Sequence, residues 1–101
     1  MKTNQPFKSS SKDKKMSVYA FDGKKTHLVH FGAKGYSDFT IHKDDDRKKL
    51  YLQRHSGNEN WNKSGLFTAG FWSRWILWNK TSLASSISDT QKRFNLIVKS
   101  K

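Results

Sequence analysis

At 101 residues and 34% hydrophobic content, the chain has room for one small domain with a thin core. Twenty Lys and Arg against eight Asp and Glu give a net charge of +12, which selects polyanionic partners: DNA, RNA or an acidic protein face. The sequence has no cysteine, so a disulfide framework and a thiolate zinc site are excluded, and no apolar run reaches the ~20 residues of a membrane-spanning helix.

Residues 1–15 carry five Lys and one Asp, a net +4, among Ser, Asn and Gln. That composition predicts a basic extended tail without a fold of its own. Lys2, Lys8, Lys12, Lys14 and Lys15 are its candidate partner-binding cations. Residues 1–6 lack the apolar centre of a secretory signal. Residues 16–101 are then expected to form one α+β domain, an N-terminal β-hairpin followed by about three helices.

The hairpin is predicted over residues 17–31. Val18 and Ala20, and across the turn Leu28 and His30, alternate with Tyr19, Phe21, Val29 and Phe31. Asp22-Gly23 between the two runs is a strong hairpin signal. Gly32 and Gly35 break the alternation, so residues 32–43 read as a loop or short irregular strand.

Three Asp at 44–46 precede Arg47, Lys48 and Lys49, the charge order that a helix dipole favours. A helix is predicted over about 44–55, with Leu50 and Tyr51 inward and Arg47 and Arg54 on another face. Residues 56–65 read as a loop around Trp61.

The apolar centre of the chain is the stretch from Thr68 to Lys80, which holds Trp72, Trp75 and Trp78 with Phe71, Ile76 and Leu77. A helix is predicted over 69–78, with Thr68 as N-cap. Phe71, Trp75 and Trp78 fall at i, i+4 and i+7, and Trp72 and Ile76 form a second ridge. Apolar groups then cover most of the helix circumference, so Trp72 or Trp61 should stay partly exposed in the monomer and meet a partner. Arg74 is placed to stack on a ring or pair with an acid. A break at 79–81 leads to a last helix from about 82 to 95, capped by Thr81 or Ser82. Its apolar stripe is Leu83, Ile87, Phe94 and Ile97.

Catalytic arrangements are weak. His42 with Asp44, Asp45, Asp46 and His55 has the residue types of a metal-dependent nuclease, but the Asp run reads better as a helix N-terminus. His27 and His30, three apart in a strand, point to opposite faces. Gly32-x-x-Gly35 reads as a turn rather than a phosphate cradle, and Ser73 has no His–Asp partners nearby in sequence. The expectation is a protein that is not an enzyme, with no cofactor, no metal and no small-molecule substrate.

Several stretches together resemble a known group of proteins. They are Phe31 to Thr40, His42-Lys43-Asp44, Arg54-His55 and Thr68 to Lys80. They are similar to a small, basic, uncharacterised family of nucleocytoplasmic large DNA viruses, the algal-virus and mimivirus-like giants. The resemblance spans about residues 16–94. Many members carry Pro after the equivalent of Lys80, where Thr81 stands here. The resemblance implies a setting, the virion and the host cytoplasm during assembly, and no chemistry. In that setting the expected function is a minor capsid or assembly protein. It would connect or cement neighbouring capsid proteins through Trp61, Trp72, Arg74, Trp75 and Trp78 and through the basic tail. The alternative is a non-sequence-specific nucleic-acid-binding protein associated with the packaged genome, using Lys and Arg on phosphates.

Overall fold

The computed structural model describes residues 2–100. Its centre is an antiparallel pair, β2 (Lys14–Phe21) and β3 (Thr26–Ala33), in which Val18 faces Val29 and Met16 faces Phe31. The hairpin turns through Asp22, Gly23, Lys24 and Lys25. The Asp22 carboxylate accepts the backbone N–H groups of Lys24 and Lys25, at 2.8 and 2.9 Å, and those bonds hold its pKa below the usual carboxylate value. Gly23 takes φ +100°, which a side chain would resist. Cross-strand pairing puts Met16, Val18 and Ala20 on one face with Val29 and Phe31, all buried. Leu28 and His30 are exposed instead.

The expected architecture of a simple hairpin, three helices and an unattached basic tail is wrong. The fold is α+β, but among the described residues its sheet has three strands and it carries four α-helices. The third strand, β1 (Phe7–Lys8), comes from the expected tail and pairs antiparallel with β2, so a domain boundary at residue 16 would cut through the sheet. Low hydrophobicity misled because this segment is held by polar groups. Asn4 is fully buried. Its Nδ2 donates to the carbonyls of Phe21 (2.9 Å) and Ile97 (3.0 Å), and its Oδ1 accepts the N–H of Phe21 (3.0 Å). Thr3 donates from its backbone to Lys99 and from its hydroxyl to Ile97. The first and last described residues thus form one seam beside β2.

After β3 come α1 (Phe39–His42) and α2 (Asp45–His55). Asp38 and Asp44 cap them, each accepting backbone N–H groups with its carboxylate. No residue of α2 is fully buried, and Leu50, expected inward, is 48% exposed.

The Trp stretch is not one regular helix. It starts as α3 (Ala69–Trp72), capped by Thr68, and widens into a π-helical turn over Ser73–Leu77 that closes on a bond from the Trp78 N–H to the Ser73 carbonyl. The extra residue in the turn parts Trp75 from Trp78. Trp75 packs edge-on against Phe94, while Trp78 stacks on Tyr51 of α2. Of the two rings expected to stay partly exposed, Trp61 does, whereas Trp72 is 0% exposed and its indole donates to the Leu66 carbonyl at 2.7 Å. The loop before α3 supplies the cover. Trp61 is half-buried there, its indole donating to Glu59 and its carbonyl accepting from Trp75.

Helix α4 (Leu83–Arg93) begins at Ser82 and ends in a left-handed Asn95 cap, with the Leu96 N–H donating to the Gln91 carbonyl. Its fully buried residues are Ser86 and Thr90, not the expected apolar stripe, of which Leu83 and Ile97 are exposed. Small hydroxyl residues let α4 approach the π turn closely, and Thr90 Oγ1 reaches the carbonyls of Trp75 and Ser86.

Candidate functional site: a cationic cleft

A cleft of about 790 Å³ lies between the Lys14 end of the sheet, α2 and the α3–π segment. Its walls follow from local sequence. On α2, Arg47, Leu50, Tyr51 and Arg54 fall at i, i+3, i+4 and i+7, which is one helical stripe, and all four line the cleft. The sequence expectation that separated the two Arg from Leu50 and Tyr51 is therefore wrong. Across the cleft, Gly32 (φ +77°) lies so close to Leu77 that a Cβ there would stand 2.6 Å from Leu77 Cδ1.

The wall of α2 is fixed by rings. Tyr51 lies parallel to Trp78, with centroids 4.3 Å apart, and also stacks on His55 at 4.2 Å. Burial, with Glu59 as a second cause, pushes the Tyr51 phenol well above its ordinary pKa. Lys48 extends over the Phe39 ring and donates to the Asn79 carbonyl at 2.7 Å, with its pKa lowered by burial.

The charges are unevenly matched. Lys15 pairs with Asp38 at 2.6 Å, and His55 Nδ1 lies 3.2 Å from Glu59 Oε2, an ion pair only when the imidazole is protonated. Lys14, Arg47 and Arg54 also line the cleft and have no ion pair among the described residues. The bend before β2 extends this basic edge, since the Lys34 N–H donates to the Asp13 carbonyl beside Lys12 and Lys14. At the rim, Tyr36 is 74% exposed.

The other candidate residues fall elsewhere. Lys2 is exposed at the terminal seam, bridged through its backbone to Ser100, and Lys8 and Lys12 are exposed around β1. Arg74 is half-buried: its guanidinium stacks on Trp75 (4.2 Å) and Trp61 (5.6 Å) and donates to the Trp78 carbonyl, and burial lowers its pKa. Arg93 lies against Trp75 as well. The Trp and Arg74 contacts anticipated for a partner are thus largely made within the chain. Of the ten candidates, Lys14, Lys15 and Trp78 come together in the cleft. Arg47, Arg54 and Tyr36 were missed, although the stripe on α2 was readable from its spacing.

The sequence-level nuclease arrangement does not assemble. His42 Nδ1 accepts the Asp44 N–H, Asp44 caps α2, and His55 sits at the opposite end of that helix with Glu59. Among the described residues no three of His, Asp and Glu gather as a metal site. His30 Nδ1 lies 2.6 Å from Ser17 Oγ, but Ser17 is buried between β1 and β3. No helix is long and apolar enough to cross a membrane among the described residues.

Residues 7–55 match a family model described as a family of unknown function, DUF5754. That stretch runs from β1 through α2, so it includes Lys14, Tyr36, Arg47 and Arg54 and stops before the Trp segment. No curated protein matches, and no solved structure matches.

Proposed function

We propose that this protein binds nucleic acid through the phosphate backbone, without reading base sequence, in association with the genome of a large DNA virus. The observation that carries the reading is the set of Lys14, Arg47 and Arg54, three cations without acidic partners lining one cleft in a chain of net charge +12. Cations without an ion pair have no acidic partner to give up when they meet phosphate. The viral setting rests on the sequence resemblance alone.

The test is binding of labelled DNA by anisotropy across a salt series, comparing the protein with an R47Q/R54Q variant. Both side chains are exposed, so the variant should fold. Losing two phosphate contacts should weaken binding and flatten the log–log salt slope by about 1.4–1.8. An unchanged slope removes the cleft from the binding surface, and no binding at low salt ends the reading.

The capsid-cementing reading keeps one structural support. Ile97 and Val98 are exposed beside the terminal seam, with Ile97 next to the hairpin turn at Gly23. Fractionation of purified particles separates the two readings. A genome-binding protein follows the core, whereas a cementing protein stays with the shell in fixed stoichiometry.

A further inference from the structure

We infer that the cleft takes single-stranded nucleic acid, with an unstacked base lying on Tyr36, in preference to duplex. This rests on the phosphate-binding reading above and adds the kind of strand.

Three observations carry it. First, Lys14, Arg47 and Arg54 line a concavity of about 790 Å³ rather than a flat or convex face. Arg47 and Arg54 lie two helical turns apart, about 10 Å along α2. A duplex presents its phosphates on a wide, stiff rod that cannot follow a concavity of this size. One flexible strand can.

Second, the cleft combines these cations with exposed apolar groups. Tyr36 is 74% and Leu50 48% exposed, and both line the same space as the unpaired cations. In duplex DNA the faces of the bases are already stacked, and an exposed ring beside the phosphates gains nothing. In a single strand every base has a face to offer, and stacking on an aromatic ring tolerates any sequence.

Third, the rings deeper in the wall are already occupied. Tyr51 is stacked with both Trp78 and His55, which leaves Tyr36 as the ring at the rim open to a base. Tyr36 follows Gly35, which has φ +88° and no heavy atom within 4 Å of where a Cβ would stand. Ser37 and Ser73, also in the lining, add hydroxyls that can bond to phosphate or sugar.

The experiment measures anisotropy of fluorescein-labelled dT10 and of a labelled 10-base-pair duplex, at one fixed low salt concentration. The protein, Y36A, Y36L and R47Q/R54Q are compared. The inference expects dT10 to bind at least tenfold more tightly than the duplex. Y36A should weaken dT10 binding between about 5- and 100-fold, with Y36L giving little rescue and duplex binding unmoved. R47Q/R54Q should weaken both. Equal binding of the two probes, with Y36A silent on both and R47Q/R54Q still harmful, overturns the single-strand inference and leaves the phosphate reading standing. Failure of both probes to bind the unaltered protein overturns both. Tyr36 is mostly in solvent, so Y36A should retain its thermal unfolding midpoint, and that is checked beside the binding.

Discussion

The ring of Tyr51 lies within 4° of parallel to that of Trp78, 4.3 Å away, and this stack ties α2 to the end of the π turn. It also makes the phenol hard to ionise: burial, then Glu59, raises its pKa above the ordinary value of 10.0. The unfolded chain therefore releases this proton first. The stability contributed by the protonated phenol is complete below the unfolded pKa and declines as pH rises above it. Tyr51→Phe keeps the stack and removes the proton. It should leave stability at pH 7 nearly unchanged and reduce the loss above about pH 10, measured by denaturant unfolding over pH 7–11. An identical alkaline decline in both proteins would exclude Tyr51 as its source.

Asn4 should behave as a core residue despite lying in a Lys- and Ser-rich segment. Asn4→Ala leaves the Phe21 N–H and the carbonyls of Phe21 and Ile97 without these partners, and it places Ala at φ 54°. The expected cost is about 2–4 kcal/mol in urea unfolding. Deleting residues 1–15 should accordingly unfold or strongly destabilise the protein, not merely subtract a net +4 of charge. A truncated protein with unchanged stability would contradict this.

Gly32 and Gly35 separate two effects. Both have positive φ, but a side chain at 32 meets Leu77 and one at 35 meets nothing within 4 Å. Gly35→Ala should cost about 1 kcal/mol from backbone strain alone. Gly32→Ala should cost more than about 2 kcal/mol, since Leu77 must also move. Thermal and urea unfolding of the pair checks the order.

The four Trp should divide by location. Trp72→Ala opens the centre of the core and should cost about 3–5 kcal/mol. Trp61→Ala, in a half-buried loop ring, should cost about 1–2 kcal/mol, partly through the loss of the Arg74 contact. Equal losses at the two sites would mean that the loop around Trp61 is as integral to the core as α3.

Local signals were readable where they had local causes. Asp22-Gly23 marked the hairpin turn, the three Asp marked the start of α2, and Thr68 and Ser82 capped the helices that follow. The failures share a different cause. Phe7–Lys8 pairs with β2 in a segment whose leading residues, Thr3 and Asn4, find partners at residues 97–99, more than ninety positions away. Likewise, no propensity announces a π turn: Ser73–Leu77 widens where Trp75 must meet α4 while Trp78 meets α2. In the cleft, the Arg47–Arg54 stripe was present in the spacing, whereas its meeting with Lys14 and Tyr36 depends on how α2 returns to the sheet.

The seam between residues 3 and 97–99 also sets an order of events during synthesis. Thr3 and Asn4 are made more than ninety residues before their acceptors at Ile97 and Lys99. Closing so long a loop is entropically slow, and while the chain is still growing it cannot happen at all. The β2–β3 hairpin has only local contacts to make and can form early. Thr3 and Asn4 therefore lack these partners on the nascent chain until residues 97–99 have been translated. A chain of net charge +12 spends that interval beside ribosomal RNA, so closure of the seam competes with electrostatic attraction to that polyanion.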